Sequence, residues 1–394
     1  MNKGISGILG KVDIKRDLYK FTLIIEMVVI FITFQMLTDG LFMTTRNLSN
    51  LLMQGVTCSM ISITMMLVIV STNADLSAGV VLGFMGTTAA QLQVAYHFAA
   101  TWSIASVLLI GLLIGLWHGY WIAYKKLPAF IVTLASQLIV RGFTLAVGQG
   151  RSIGPMDDAF SVLGRGTLPS FFVTDSNFND TSLILVCAVI LVYICYSIYV
   201  RNNLIKGKGE VSGILAFILK LIFVSIAIFV VSSPMVFYNG LSYAVLLLIL
   251  VAAIFHFVVK NTSFGRHVFA IGGNTEAARL SGINIEWTIM LIYILHTLVT
   301  AIAAIIFLGR VGQATPSAGV SFEFTAITGC VVGGTSILGG RGNVIGAVIG
   351  TMLMAALDNG MSLMNLGPEY QYIIKGLALM LAIAMDVLSQ HRKS

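Results

Sequence analysis

Three polar stretches interrupt an otherwise apolar chain, and each carries groups able to bind a solute or bear a load. STNADLSAG (71–79) sets Asn73, Asp75, Ser77 and Gly79 between two apolar runs. A carboxylate facing lipid near the bilayer centre costs about 3 kcal/mol, so Asp75 is expected inside protein or beside a watery cavity. Asn73, Asp75 and Ser77 can cap the helix that follows or meet a ligand, and a broken helix with satisfied ends serves both purposes. Gly79 lets two backbones approach closely. GGTSILGGRGN (333–343) sets Thr335, Ser336 and Asn343 among helix-breaking glycines. Their neutral hydroxyl and amide groups suit a polyol better than an ion. Arg341 in the same stretch is expected to snorkel or face the cytoplasm.

The third stretch, FGRHVFAIGGNTEAARLSGIN (264–284), has Asn274 as an N-cap, the helix formers of TEAARLS, and Gly282 where a left-handed cap ends the turn. The spacing predicts a helix of about two turns, too short to persist in water unless it packs on something. It is either a connector resting on its own domain or a stiff peg through which force is delivered. A fourth group, Asp358-Asn359 within LDNGMS, closes an apolar run, where Asp358 meets an external partner or caps the helix.

Other chemistries find no residues to perform them. No G-x-x-x-x-G-K-[ST] phosphate loop occurs, and the glycine-rich 333–343 run lacks the Lys-Ser/Thr pair that would hold phosphate and magnesium. His118, His256 and His296 lie singly in separate apolar runs, with no hydrolase or metalloprotease spacing. The four cysteines show no paired spacing, so neither a disulfide framework nor a metal site is expected.

The elements that must position these groups are membrane spans. With 57% of residues hydrophobic and only 10% charged, the composition excludes an ordinary soluble domain. Apolar stretches fall near 18–38, 51–71, 79–98, 102–123, 128–147, 181–200, 211–232, 241–259, 288–309, 324–340, 343–359 and 371–388, most long enough to cross the bilayer as helices. The reading is an all-α, polytopic integral membrane protein in a single domain, 1–394, with about ten full crossings and the remaining segments broken or re-entrant. Pairs meeting at the polar kink after residue 71 and at the 333–343 glycines are the candidates for half-helices. The first run carries Glu26 and no small-residue cleavage site, and is read as a retained span.

Basic residues orient the chain. Lys3, Lys11, Lys15, Arg16, Lys20, Lys125, Lys126, Arg201, Lys206, Lys208, Lys260, Arg266, Arg279, Arg392 and Lys393 fall on one side, against Arg46, Arg151, Arg165 and Arg310 on the other. Both termini and the loop 260–287 are therefore expected in the cytoplasm. The net charge of +7 is explained by this inner rim facing anionic lipid, without nucleic acid. Glu26, Arg141 and Lys375 remain as charges within apolar runs, any two of which could pair.

Five segments together resemble a known family: LPAFIVTLASQLIVRG (127–142), FGRHVFAIGGNTEAARLSGIN (264–284), ATPSAG (314–319), GGTSILGG (333–340) and LDNGMS (357–362). From about residue 40 onward the chain is similar to the permease subunits of bacterial ABC importers for ribose, xylose and multiple monosaccharides. GQGRSIGP (148–155) and GKGEVSGILAFILKLIF (207–223) look most like the multiple-monosaccharide branch, with the xylose permeases next. The resemblance implies a multi-pass protein of the cell inner membrane that pairs with a second copy of itself. It would receive a monosaccharide from a periplasmic sugar-binding protein and be driven by a separate cytoplasmic ATPase, which binds the ATP and magnesium; this chain would hold no cofactor or metal and catalyse nothing. It further implies a translocation path at Asn73, Asp75, Ser77, Gly79, Phe130, Thr133, Thr335, Ser336 and Asn343. ATPase coupling would fall to Gly272, Gly273, Asn274, Glu276, Arg279, Leu280, Ser281 and Gly282, and contact with the periplasmic partner to Asp358 and Asn359.

The chain departs from the family pattern at two places, Asn73-Ala74 before Asp75 and Thr325 after Phe322-Glu323-Phe324. Two other transport classes stand beside the permease. An ion-coupled secondary sugar transporter needs a titratable coupling site, for which Asp75 or Glu26 is available but without an obvious ionisable partner. A channel would need a ring-like selectivity signature, and none is visible.

Overall fold

The computed structural model describes residues 14–173, 178–207 and 213–391. In chain order the helices are α1 (Ile14–Leu37), α2 (Thr45–Val70), α3 (Ala78–Val94), α4 (Ala100–Gly119), α5 (Ala129–Gly148), α6 (Asp158–Arg165), α7 (Asp180–Lys206), α8 (Ile214–Val236), α9 (Tyr243–Asn261), α10 (Ser263–Gly273), α11 (Thr275–Leu280), α12 (Ile285–Val311), α13 (Phe322–Val332), α14 (Val344–Leu363) and α15 (Pro368–His391). A π-helical turn, Tyr120–Tyr124, continues α4. The described residues form no strand; isolated bridges join Ile153 to Ala314 and Thr167 to Ser242.

Nine of the described helices are long and apolar enough to cross a membrane: α2, α4 with its π turn, α5, α7, α8, α9, α12, α14 and α15. Three shorter apolar helices, Ile25–Leu37, α3 and α13, account for the rest of the twelve apolar stretches. The expected run 324–340 is corrected: α13 stops at Val332, because the Gly333, Gly334 and Thr335 amides turn back onto its last carbonyls and Gly334 adopts a φ of +90°.

α2, α12 and α14 are the most buried spans, and α7, α8 and α15 bury few of their residues within the protein, leaving apolar surface for a bilayer to cover. Close packing comes from small residues. Gly111, Gly115 and Gly119 repeat every four residues along α4, and a Cβ at Gly115 or Gly119 would run into Ile294, Thr297 or Met290 of α12. In lipid, where helices gain nothing by hiding apolar surface from one another, this backbone-to-backbone approach is what holds them together.

Gly79 does the same at the start of α3. A Cβ there would overlap the Gly319 carbonyl and the Glu323 carboxylate. Gly79→Val is therefore expected to destabilise the fold by about 1–3 kcal/mol. Thermal unfolding in detergent, followed by the loss of a monodisperse size-exclusion peak, checks this.

Candidate functional site

The break between α2 and α3 is written by side chains that compete for backbone groups. Ser71 Oγ donates to the Val68 carbonyl at 2.8 Å, Thr72 takes a φ of +63°, and Asn73 Nδ2 donates to the Ser71 carbonyl at 2.9 Å. Asp75 then folds onto the chain ahead: its Oδ1 accepts from the Ser77 amide at 2.7 Å and the Ser77 hydroxyl at 2.6 Å. Two sequence expectations change here. Ser77 occupies the N-cap position of α3 but makes no side-chain cap bond, and Asn73 turns back to Ser71 instead of capping.

The second carboxylate oxygen of Asp75 points at two imidazoles. His118 Nδ1 of α4 lies 3.6 Å away and His296 Nε2 of α12 lies 3.5 Å away, with all three side chains buried. His296 Nδ1 meets Thr64 Oγ1 of α2 at 3.0 Å. Tyr293 donates to the Ala74 carbonyl at 3.3 Å and packs edge-on to His118. The carboxylate–imidazole separations exceed hydrogen-bond length, so the contact is electrostatic, and Asp75 Oδ2, both nitrogens of His118 and His296 Nε2 have no hydrogen-bond partner. Glu323 of α13, also buried, lies over Gly79, so two carboxylates face the positive end of α3. Among the described residues no group of His, Cys, Asp and Glu is arranged to hold a metal ion.

The sequence missed this constellation. The sequence offers Asp75 no obvious ionisable partner and leaves the histidines isolated, yet α4 and α12 deliver His118 and His296 to one carboxylate, and α2 sets Thr64 against His296. No spacing encodes it, because the partners come from separate helices; the only trace was a polar residue inside each apolar run.

The remaining path candidates are dispersed. Thr133 is buried with its hydroxyl on the Ala129 carbonyl at 3.0 Å, while Phe130 on the same helix is 53% exposed. Thr335 and Ser336 are buried, and Thr335 Oγ1 has no partner. Asn343 caps α14 through the Ile345 amide at 3.1 Å. Their loop is fastened to the end of α2, where the Gly340 amide donates to the Val70 carbonyl at 2.9 Å.

α10 and α11 meet the protein at that same end. Gly272 is pressed so closely between Val70 and Gly340 that a Cβ would overlap both. Asn274 caps α11 by accepting from the Ala277 amide at 2.9 Å, and Gly282 has a φ of +80°. Ala278 anchors the short helix against Ile271 and Ile285. Gly273, Asn274, Glu276, Arg279, Ser281 and Gly282 are exposed, and Leu280 is 88% exposed.

Asp358 and Asn359 lie within α14, not at its end. Asp358 Oδ2 meets Lys375 Nζ at 2.9 Å, which gives Lys375 its partner, and Asn359 exchanges amide hydrogen bonds with Asn47 of α2 at 2.8 and 3.1 Å. Arg141 donates to the Pro316 carbonyl.

Residues 47–383 match the family described as "Branched-chain amino acid transport system / permease component". The chain is 36% identical over 380 residues to the xylose transport system permease protein XylH of Haemophilus influenzae, covering 95% of this chain and 98% of that one. It is 37% identical to XylH of Escherichia coli K12, covering 95% and 93%. The galactose/methyl galactoside import permease protein MglC of Escherichia coli K12 is 30% identical over 367 residues, 90% of each chain. No solved structure matches.

Proposed function

Because the chain belongs to the family of transport-system permease components, and is the permease of an ABC sugar importer in the inner membrane, we propose that it imports a monosaccharide, with a pentose such as xylose as the first candidate. The observation carrying the substrate class is similarity over nearly the full length to two xylose permeases. The family description speaks of branched-chain amino acids, but the relatives that cover this chain are named for sugars. A second copy completes the translocation unit, a periplasmic sugar-binding protein delivers the substrate, and a separate ATPase supplies the energy.

The mechanism rests on one line of contacts. The ATPase holds the exposed surface of α10–α11, and its movement reaches the Val70 end of α2 through Gly272 and the Gly340 loop. The α2–α3 break begins at the next residue, so displacement there shifts Asp75 relative to His118 and His296. Packed groups of this kind move between discrete arrangements, as alternating access requires. Asp75 and its partners act as the joint that keeps α3 seated on α4 and α12 in one of those arrangements.

Reconstitution with the ATPase and the binding protein, scanning pentoses and hexoses for stimulated ATP turnover and uptake, tests this. Uptake of a pentose that requires both partners is the expected result. The buried carboxylate–imidazole cluster favours one other reading, an ion-coupled secondary sugar transporter, since it supplies the titratable site such a protein needs. Accumulation of sugar by this chain alone, driven by a proton gradient in sealed vesicles, would replace the ABC reading with that one.

A further inference from the structure

At the end of α2 farthest from α10–α11, a pocket of about 310 Å³ opens between four parts of the chain. Asn50 and Gln54 come from α2, Arg165 from the end of α6, Tyr238 and Asn239 from the α8–α9 turn, and Arg310 from the last turn of α12. Some 21 residues of α2 separate Ser49 in this pocket from Val70 at the α10 contact, roughly 31 Å of helix. The distribution of basic residues puts the pocket at the outer end.

The walls are fixed. Arg165 Nε and Nη2 donate to the carbonyls of Arg310 and Val311 at 2.6 and 2.9 Å, tying α6 to the end of α12. The Leu168 amide donates to Leu241 and the Tyr243 amide to Gly166, which holds the Tyr238–Asn239 turn against α6. A site whose lining is already held loses little entropy on binding.

The lining chemistry has a direction. Three primary amides offer both donors and acceptors, Tyr238 adds a hydroxyl and a ring face, and no carboxylate is present. Arg165 spends much of its guanidinium on backbone carbonyls, and Arg310 lies 5.7 Å from the Phe307 ring centroid with its Nε buried and unpartnered. Hydroxyl groups that both give and accept hydrogen bonds, on a small body with apolar C–H faces, fit this set. The volume is at the lower end for small-molecule sites, roughly 300 Å³ upward. Further along α2 toward Asp75, Thr57 Oγ1 and Ser59 Oγ are buried without partners, so polar groups continue inward from the pocket.

We propose that this pocket is the outer receiving site for the transported monosaccharide, with the amides of Asn50, Gln54 and Asn239 reading its hydroxyls. The proposal rests on the sugar-importer reading above and adds where the sugar first meets this chain. The alternative the two arginines raise is a small anion.

The test places one thiol in the pocket. Cys187 and Cys195, the exposed cysteines, are replaced by serine, and Thr167→Cys, at a lining residue outside the three amides, is introduced in the full chain in lipid nanodiscs. The labelling rate by a charged maleimide is then measured with D-xylose, D-ribose, D-galactose, sucrose or inorganic phosphate. Slowing by at least one monosaccharide, not by sucrose or phosphate, and loss of that protection on adding Gln54→Leu, is expected. No slowing by any monosaccharide, or slowing by phosphate alone, overturns the proposal. In the reconstituted importer, Gln54→Leu is expected to lower maximal uptake about tenfold, the scale of one or two lost hydrogen bonds, with ATPase association unchanged. Failure of the unmodified chain to move any sugar would count against the importer reading. Normal uptake by the unmodified chain together with an unprotected thiol and normal Gln54→Leu uptake removes the pocket alone.

Discussion

Asp75→Ala is expected to reduce sugar uptake by the reconstituted importer by at least an order of magnitude while the ATPase still co-purifies. The substitution removes the acceptor of both Ser77 hydrogen bonds and leaves His118 and His296 facing an empty space in a buried site. Leaving the buried Ser77 amide and hydroxyl without an acceptor costs about 1–3 kcal/mol for each. The loss falls on the seat of α3, while Ala278 still holds the exposed residues of α11 in place against Ile271 and Ile285, which is why association should survive. Asp75→Asn separates the contributions: its carbonyl oxygen still accepts from Ser77, but its amide hydrogens face the imidazoles. Uptake near the unmodified level for Asp75→Asn would assign the role to the Ser77 turn and not to the charge. Uptake at that level for Asp75→Ala would take the cluster out of the mechanism.

Leu280→Asp is expected to weaken ATPase association by about one to two orders of magnitude, with membrane insertion and thermal stability unchanged. Leu280 is a large apolar side chain at the tip of a six-residue helix, 88% exposed, while its neighbour Ala278 is buried as the anchor. Covering one leucine on a partner contributes roughly 1.5–3 kcal/mol, which sets the size of the loss. Gly282→Pro tests the geometry in place of the contact, since proline cannot adopt the φ of +80° found there. Both variants co-purifying normally with the ATPase, as measured by pull-down from solubilised membranes, would leave α10–α11 as a plain connector.

Much of this architecture was legible in the chain because it is dictated locally. Twelve apolar stretches became nine long and three shorter apolar helices among the described residues. The Asn274 cap, the short α11 and the left-handed Gly282 were all read from adjacent residue types, since a cap and its amide lie within one turn. Local reading failed where a polar residue had two competing neighbours. Ser77 at an N-cap position gives its hydroxyl to Asp75, and Asp358, whose LDNG setting predicts a helix end, sits inside α14 facing Lys375.

Local residue chemistry alone makes this protein a bundle of membrane helices, places the breaks at residue 71 and in the 333–343 glycines, and marks the short capped helix at 274–282. These follow from hydropathy, helix propensity and capping, which act over a few residues at a time. Which polar residues meet follows from packing between distant segments: Asp75 with two histidines, Lys375 with Asp358, and Gln54 with Arg310 around one pocket. In a lipid-embedded bundle the glycine contacts fix how far each helix slides and turns against its neighbours, and that register, set by packing between distant segments, selects the partners of every buried polar group.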